Sequence, residues 1–248
     1  MIIFILLLIL LFLIYGSFLN MLSYRLISGD SLLISRSFCP NCKKTISWYD
    51  LIPVISWLNL KGKCRNCKKN ISFLYPFIEI LTALIFTLMI LTIEPKFWLS
   101  YFLYFSAMII TIRTDLEFML ISRFATLFLI PFAFIFAYFN LLEINLIHSI
   151  LGFILGYSIL ALMSFIFFKI KRVRGMGEGD PEMLATIGAF TGPIGAWAAL
   201  TIGATLGSIY GIYLLVLKKA DSSTRIPFGP LLAFGSIIYV FLKRYFNV

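Results

Sequence analysis

Of 248 residues, 61% are hydrophobic and only 13% charged, with a mean hydropathy of +0.99 and a formal charge of +10. That composition excludes an ordinary soluble domain and points to an all-α polytopic integral membrane protein. The basic excess reads as an orientation signal, and no nucleic acid is expected as a partner, because no basic patch with interleaved aromatics stands clear of the apolar spans.

The run 1–21 is apolar throughout and matches the roughly 20 residues that cross a bilayer. No basic region precedes it and no small-x-small site follows it, so a retained first helix is expected. Residues 23–73 form the long polar segment, with Arg25, Arg36, Lys43, Lys44, Lys61, Lys63, Arg65, Lys68 and Lys69 against Asp30 and Asp50. The positive-inside rule makes this loop cytoplasmic and the amino terminus external. Threaded from there, spans are expected at 75–93, 97–113, 118–139, 146–168, 182–196, 197–217 and 228–246, about eight with the first helix. The inner connections are then 113–117, 169–180 and 218–225. The chain divides into a first helix (1–22), a cytoplasmic loop domain (23–74) and a membrane-embedded body (75–248). Thr191-Gly-Pro-Ile-Gly195 interrupts the span after Asp180, which is expected to be short, kinked or only partly crossing.

The loop repeats itself: Cys39-Pro-Asn-Cys-Lys-Lys-Thr-Ile-Ser47 is echoed by Cys64-Arg-Asn-Cys-Lys-Lys-Asn-Ile-Ser72. Two C-x-x-C pairs about 21 residues apart suit a tetrahedral all-cysteine zinc site formed by Cys39, Cys42, Cys64 and Cys67. A reducing cytoplasm argues against structural disulfides, and a redox role would need one reactive pair on a βαβ unit. Four protein sulfurs leave no open coordination position, so the zinc is expected to be structural and a main source of the loop's folding energy.

His148 is the only histidine. That excludes a His-Glu-x-x-His zinc protease, and the threading places this imidazole on the opposite face from the cysteines and the acid stretches. An interfacial or packing role is expected for it.

Five of the eleven acids lie in two expected inner stretches, Arg113-Thr-Asp-Leu-Glu117 and Gly175-Met-Gly-Glu-Gly-Asp-Pro-Glu182. Ionisable groups at a bilayer are costly, which makes each a functional candidate with a partner to be found. Asp115 and Asp180 without histidine or a cysteine nucleophile suggest an aspartyl hydrolase, whose close carboxylates share a proton and titrate as a unit. The bland readings stand beside this. Asp115 suits a solvated loop charge paired with Arg113; Asp180, followed by Pro181, suits an N-cap with proline at the first helical position. Capping and catalysis are compatible, and a carboxylate accepting amide bonds tends to the ionised form, which would make Asp180 the base. Gly175, Gly177 and Gly179 either admit an extended substrate or mark a turn; their G-x-G-x-G spacing is not a dinucleotide fingerprint. Glu117, Glu178 and Glu182 compete as catalytic acids and, with Gly177 and Gly179, are candidates for binding a positively charged peptide segment.

These residues resemble the type IV prepilin peptidases, membrane aspartyl proteases of the Gly-x-Gly-Asp kind. Gly177-Glu-Gly-Asp180 matches that signature and Asp115-Leu-Glu117 the family's first aspartate stretch. Gly16-Ser-Phe-Leu-Asn20, Tyr24-Arg25, Ser35-Arg-Ser37, both cysteine pairs, the Trp48–Trp57 stretch, Tyr75-Pro-Phe-Ile-Glu79 and Ile226-Pro-Phe-Gly-Pro230 are similar to further landmarks. The resemblance implies a bacterial inner-membrane endopeptidase that cleaves the basic leader of prepilins and pseudopilins on the cytoplasmic side. It implies Asp115 and Asp180 as the catalytic pair, the four cysteines as zinc ligands, and methylation of the new amino terminus from S-adenosylmethionine. Glu79 is the candidate for that second site, with an interfacial charge paired to loop lysines as the alternative. The chain departs from the family at Leu116-Glu-Phe-Met-Leu-Ile-Ser122, where a second aspartate and a Leu-Pro pair are common, and at Pro181-Glu182 in place of an apolar-Lys pair. Membrane lipid is the remaining expected partner. From other classes, a cation-coupled transporter would need acids near the midplane and two related halves; a non-enzymatic secretion or pilus assembly factor would keep its function without the aspartates.

Overall fold

Backbone N–H and C=O groups in long apolar runs must bond within their own segment where no water reaches them, so helix is the expected state. The computed structural model describes residues 2–29, 36–172, 177–217 and 226–246. Ser35, Arg174, Gly175 and the expected inner loop 218–225 lie outside the described residues. The helices are α1 Ile2–Ser28, α2 Ile55–Asn59, α3 Leu74–Thr92, α4 Trp98–Phe118, α5 Ile130–Tyr138, α6 Leu146–Lys171, α7 Gly179–Val216 and α8 Gly229–Phe246. Of these, α1, α3, α4, α6 and α7 are long and apolar enough to cross a membrane, and α5 is a shorter apolar helix. Taking the two arms of α7 separately and setting aside the short α2, each of the eight expected spans has a helical counterpart. Two isolated β-bridges in the polar loop are the only extended pairings among the described residues.

The chain separates into two compact units, Met1–Ile93 and Glu94–Val248. In the first, α1 buries Phe12, Gly16, Leu19, Asn20 and Ser23, spaced three to four apart, and so presents one stripe to α3. Gly16 permits that approach, since a Cβ there would meet the Glu79 Cα at 2.8 Å. Phe86 of α3 stacks on Phe12 with ring centroids 5.3 Å apart, and Asn20 Nδ2 donates to the Tyr75 carbonyl at 3.0 Å. The other faces of α1 carry exposed Ile, Leu and Phe, as a lipid-facing helix does.

In the second unit, α6 and α7 approach through glycines. A Cβ on Gly152 would collide with the Gly188 carbonyl, one on Gly188 with the Gly152 carbonyl, and one on Gly156 with the Leu184 carbonyl. Small residues drive membrane-helix packing in this way, and Ser149 Oγ reinforces it by donating to the Ala189 carbonyl at 2.6 Å. At 38 residues α7 would run about 57 Å if straight, against about 30 Å of hydrocarbon. It bends at Gly192, whose φ of 79° and ψ of −179° leave the helix just ahead of Pro193. The interruption expected at Thr191–Gly195 is therefore present as a kink within a continuous helical stretch.

Two expected boundaries need correction. The segment Arg113–Glu117 is the end of α4, not a loop, because α4 continues to Phe118. Arg113 and Glu117 are four residues apart on one helical face and pair, which removes the charge penalty that suggested a loop. The expected span 118–139 is not one helix: Met119 turns left-handed at φ 52°, residues 119–126 are turns and irregular backbone, and a 3-10 turn at Leu127–Leu129 leads into α5. Pro131, lacking an N–H, fits the first turn of α5 and not a helix interior. His148 lies exposed in the first turn of α6, where its N–H and ring both bond the N-cap Asn145 side chain.

Candidate active site

Asp115 sits in the last turn of α4 and is 6% exposed. Its carbonyl accepts the Met119 N–H at 3.0 Å, so the left-handed residue that ends the helix also fixes the turn carrying the carboxylate. Its Oδ2 accepts the N–H of Gly229 at 3.0 Å. Gly229 opens α8 ahead of Pro230, and a helix N-terminus offers unsatisfied donors and a positive dipole end. A side chain at 229 would not fit: its Cβ would stand 2.8 Å from that same oxygen.

Asp180 lies in the first turn of α7, also 6% exposed. It was expected as the N-cap with Pro181 at the first helical position. Instead the helix starts earlier, with Glu178 as N-cap, and Asp180 Oδ2 reaches back to accept the Gly177 N–H at 3.2 Å. A first-turn acid thus satisfies an amide three residues behind it, just outside the helix. Each aspartate thus accepts one glycine amide, and the asymmetry that singled out Asp180 as the base is absent.

Ile121, in the irregular stretch after α4, links the two acid stretches. Its Cδ1 lies 3.3 Å from where a Cβ would stand on Gly179 and 3.3 Å from where one would stand on Gly229. The structure therefore brings Asp115, Gly177, Gly179, Asp180 and Gly229 into one locality built from the end of α4 and the starts of α7 and α8. The flanking acids are partly committed within the chain: Glu117 pairs with the fully buried Arg113, and Glu182 lies 3.5 Å from Arg123 Nε. Glu178 is exposed. Sequence reasoning did not place Gly229 or Ile121 here; a glycine directly before a proline at a helix start was the available signal for the first.

In the first unit the four cysteine sulfurs lie within 4.8 Å of one another. Sulfurs about 2.3 Å from a tetrahedral metal are about 3.8 Å apart, and Cys39 Sγ and Cys67 Sγ are separated by 3.9 Å. The cluster could thus hold a metal ion. The sequence repeat is also a structural one. Lys43 N bonds the Cys39 carbonyl at 2.8 Å and Lys68 N the Cys64 carbonyl at 3.0 Å, while Lys43 and Lys68 both turn left-handed at φ 57° and 59°. Amide bonds from Cys67 and Asn66 lower the Cys64 thiol towards the thiolate that metals bind, while the neighbouring sulfurs raise Cys67. Glu79, 6% exposed, belongs to this unit too, and its Oε2 accepts the Val54 N–H at 2.8 Å.

Two family models match the chain: the bacterial peptidase A24 N-terminal domain over residues 10–93 and the type IV leader peptidase family over residues 102–212. A protein of Aeromonas salmonicida (strain A449) named prepilin leader peptidase/N-methyltransferase is 34% identical over 215 residues, covering 84% of this chain and 72% of that protein. The chain belongs to the type IV leader peptidase family. A second relative, from Bacillus subtilis (strain 168) and bearing the same name, is 32% identical over 231 residues, 91% of this chain and 89% of its own. One from Escherichia coli O78:H11, named type 4 prepilin-like proteins leader peptide-processing enzyme, is 31% identical over 253 residues, 94% of this chain and 92% of its own. No solved structure matches. The N-terminal family model ends at Ile93, where the first structural unit ends, so the cysteine cluster and the paired aspartates fall in separately matched parts.

Proposed function

We propose that this leader peptidase family member hydrolyses the leader of prepilins and pseudopilins at the cytoplasmic face of the inner membrane, using Asp115 and Asp180. The observation that carries this is the convergence of two buried aspartates, each held by a glycine amide, at the ends of three helices. Two close carboxylates share one proton. The ionised member takes a proton from water as its oxygen attacks the scissile carbonyl carbon, and the protonated member donates a hydrogen bond to the carbonyl oxygen. Collapse then breaks the C–N bond and delivers a proton to the leaving amine. The family assignment disfavours the transporter and assembly-factor alternatives.

A basic leader is attracted to the acidic surroundings of the pair, with Gly177 and Gly179 leaving room for an extended backbone and Glu117, Glu178 and Glu182 supplying charge. Replacing these three glutamates with glutamine is expected to raise KM for basic leaders more than it lowers kcat; an unchanged KM removes this role. Zinc held by Cys39, Cys42, Cys64 and Cys67 would fold the polar loop. S-adenosylmethionine, when bound, supplies a methyl group to the new amino terminus, and the buried carboxylate of Glu79 complements a sulfonium or ammonium charge. Mass spectrometry of a prepilin incubated with the membrane-embedded enzyme and S-adenosylmethionine tests both halves. A product cut ahead of its apolar helix and heavier by one methyl group is expected; an intact precursor overturns the peptidase reading.

A further inference from the structure

The polar loop carries an apolar surface that its composition conceals. Trp48, Tyr49, Leu51, Ile52, Ile55 and Leu58 all fall in the exposed class, Trp48 at 75%. The 3-10 turn Trp48–Leu51 and the short helix α2 supply this ledge. Asp50 accepts both Arg65 Nε at 2.9 Å and Nη2 at 2.7 Å, which joins the turn to the second cysteine knuckle. Six exposed apolar side chains within eleven residues of a polar loop mark a candidate binding face.

The tie between Val54 and Glu79 fixes where this face lies. Val54 has φ 60° and ψ −52°, and the Ile55 N–H returns to the Pro53 carbonyl, so the chain makes a strained γ-turn there. Such a turn persists only when its surroundings hold it, and Glu79 does so through the Val54 N–H. Glu79 is the sixth residue of α3, about 7 Å beyond its first residue along the helix axis. Because α3 is a membrane-crossing helix, the ledge beside Val54 is drawn down level with its early turns, not raised above them. Trp57 packs edge-on against Phe73, immediately before α3, at 5.9 Å between ring centroids.

Charge identifies the occupant. Between residues 36 and 73 the chain has eight basic residues and one acid, Asp50, which Arg65 already engages. The six lysines of that stretch are exposed. Tryptophan and tyrosine favour the membrane interface, and exposed lysines in the same segment suit negatively charged headgroups. We propose that the Trp48–Leu58 ledge rests in the headgroup layer and is a binding surface for anionic phospholipid. Segment 36–73 is then an interfacial element that lies on the bilayer, and its metal cluster is held against the membrane by the same contact.

The test uses the full-length protein in vesicles, with the Trp48 signal taken as the difference between wild type and Trp48→Phe. Lipids brominated near the glycerol end of their acyl chains are expected to remove most of that emission, whereas aqueous acrylamide leaves it. At equal bromine content, phosphatidylglycerol should quench more than phosphatidylcholine, and replacing Lys43, Lys44, Lys61 and Lys63 with glutamine should erase the difference. Trp48 emission quenched by acrylamide and untouched by brominated lipid overturns the proposal. Equal quenching by both lipids overturns its anionic preference. Protection of Trp48 only after a prepilin is added would make the ledge a peptide surface instead.

Discussion

Gly229 donates its amide to Asp115 at 3.0 Å, and a methyl group at its Cα would lie 2.8 Å from the same carboxylate oxygen. Ordinary contact begins near 3.4 Å, so Gly229→Ala demands about 0.6 Å of movement. Ile121 Cδ1 closes the other side at 3.3 Å, which directs the displacement onto the carboxylate. Misplacing a catalytic group by about 1 Å costs about a hundredfold, so kcat for leader removal should fall about ten- to a hundredfold with KM little changed. Gly177→Ala is the internal comparison, because its methyl would stand 3.2 Å from Asp180 Oδ2 and needs only about 0.2 Å. Its loss should be a few-fold. Steady-state cleavage of a purified prepilin in detergent gives the order, with melting temperatures and metal content measured on the same samples. A Gly229→Ala enzyme as fast as wild type, or one faster than Gly177→Ala, would refute the proposed geometry.

Cys67→Ser should abolish stoichiometric metal in native mass spectrometry and unfold the 36–73 loop to proteolysis, because metal binding worth on the order of 10 kcal/mol is there folding energy; retained metal and protection would contradict a four-sulfur site. Glu117→Leu removes the carboxylate that neutralises the fully buried Arg113 and should destabilise the second unit by about 3 kcal/mol, read as a lowered melting temperature. Adding Arg113→Met should restore most of that loss, and failure to do so would mean that Arg113 is held by other contacts.

The features most legible in the sequence were those whose physical cost cannot be hidden. Acids in an apolar chain and a duplicated C-x-x-C singled out Asp115, Asp180 and the four cysteines as candidates, and Gly192-Pro193 lies in the stretch expected to interrupt a span. Local appearance misled where tertiary pairing changes the cost of a residue. Arg113 and Glu117 look like loop charges until they neutralise each other along one helical face. Asp180 looks like an N-cap because Asp-Pro is an N-cap signature, but the helix begins earlier and its carboxylate turns back to Gly177. Gly229 and Ile121 were illegible in role because both act across long sequence separations: one supplies an amide to a carboxylate 114 residues away, the other only bulk between two glycines. The apolar ledge was hidden by averaging, since the lysines on either side make the whole loop read as polar.

If Asp115 and Asp180 act as one hydrolytic pair, the isosteric variants Asp115→Asn and Asp180→Asn separate catalysis from a structural role. An asparagine oxygen can still accept the Gly229 or Gly177 amide, so each variant should keep the wild-type melting temperature while its charge is lost. Each alone should lower prepilin cleavage by about ten-thousandfold or more, and the double variant little further, because members of one catalytic unit fail together. A single variant that cleaves within a few-fold of wild type would contradict the dyad.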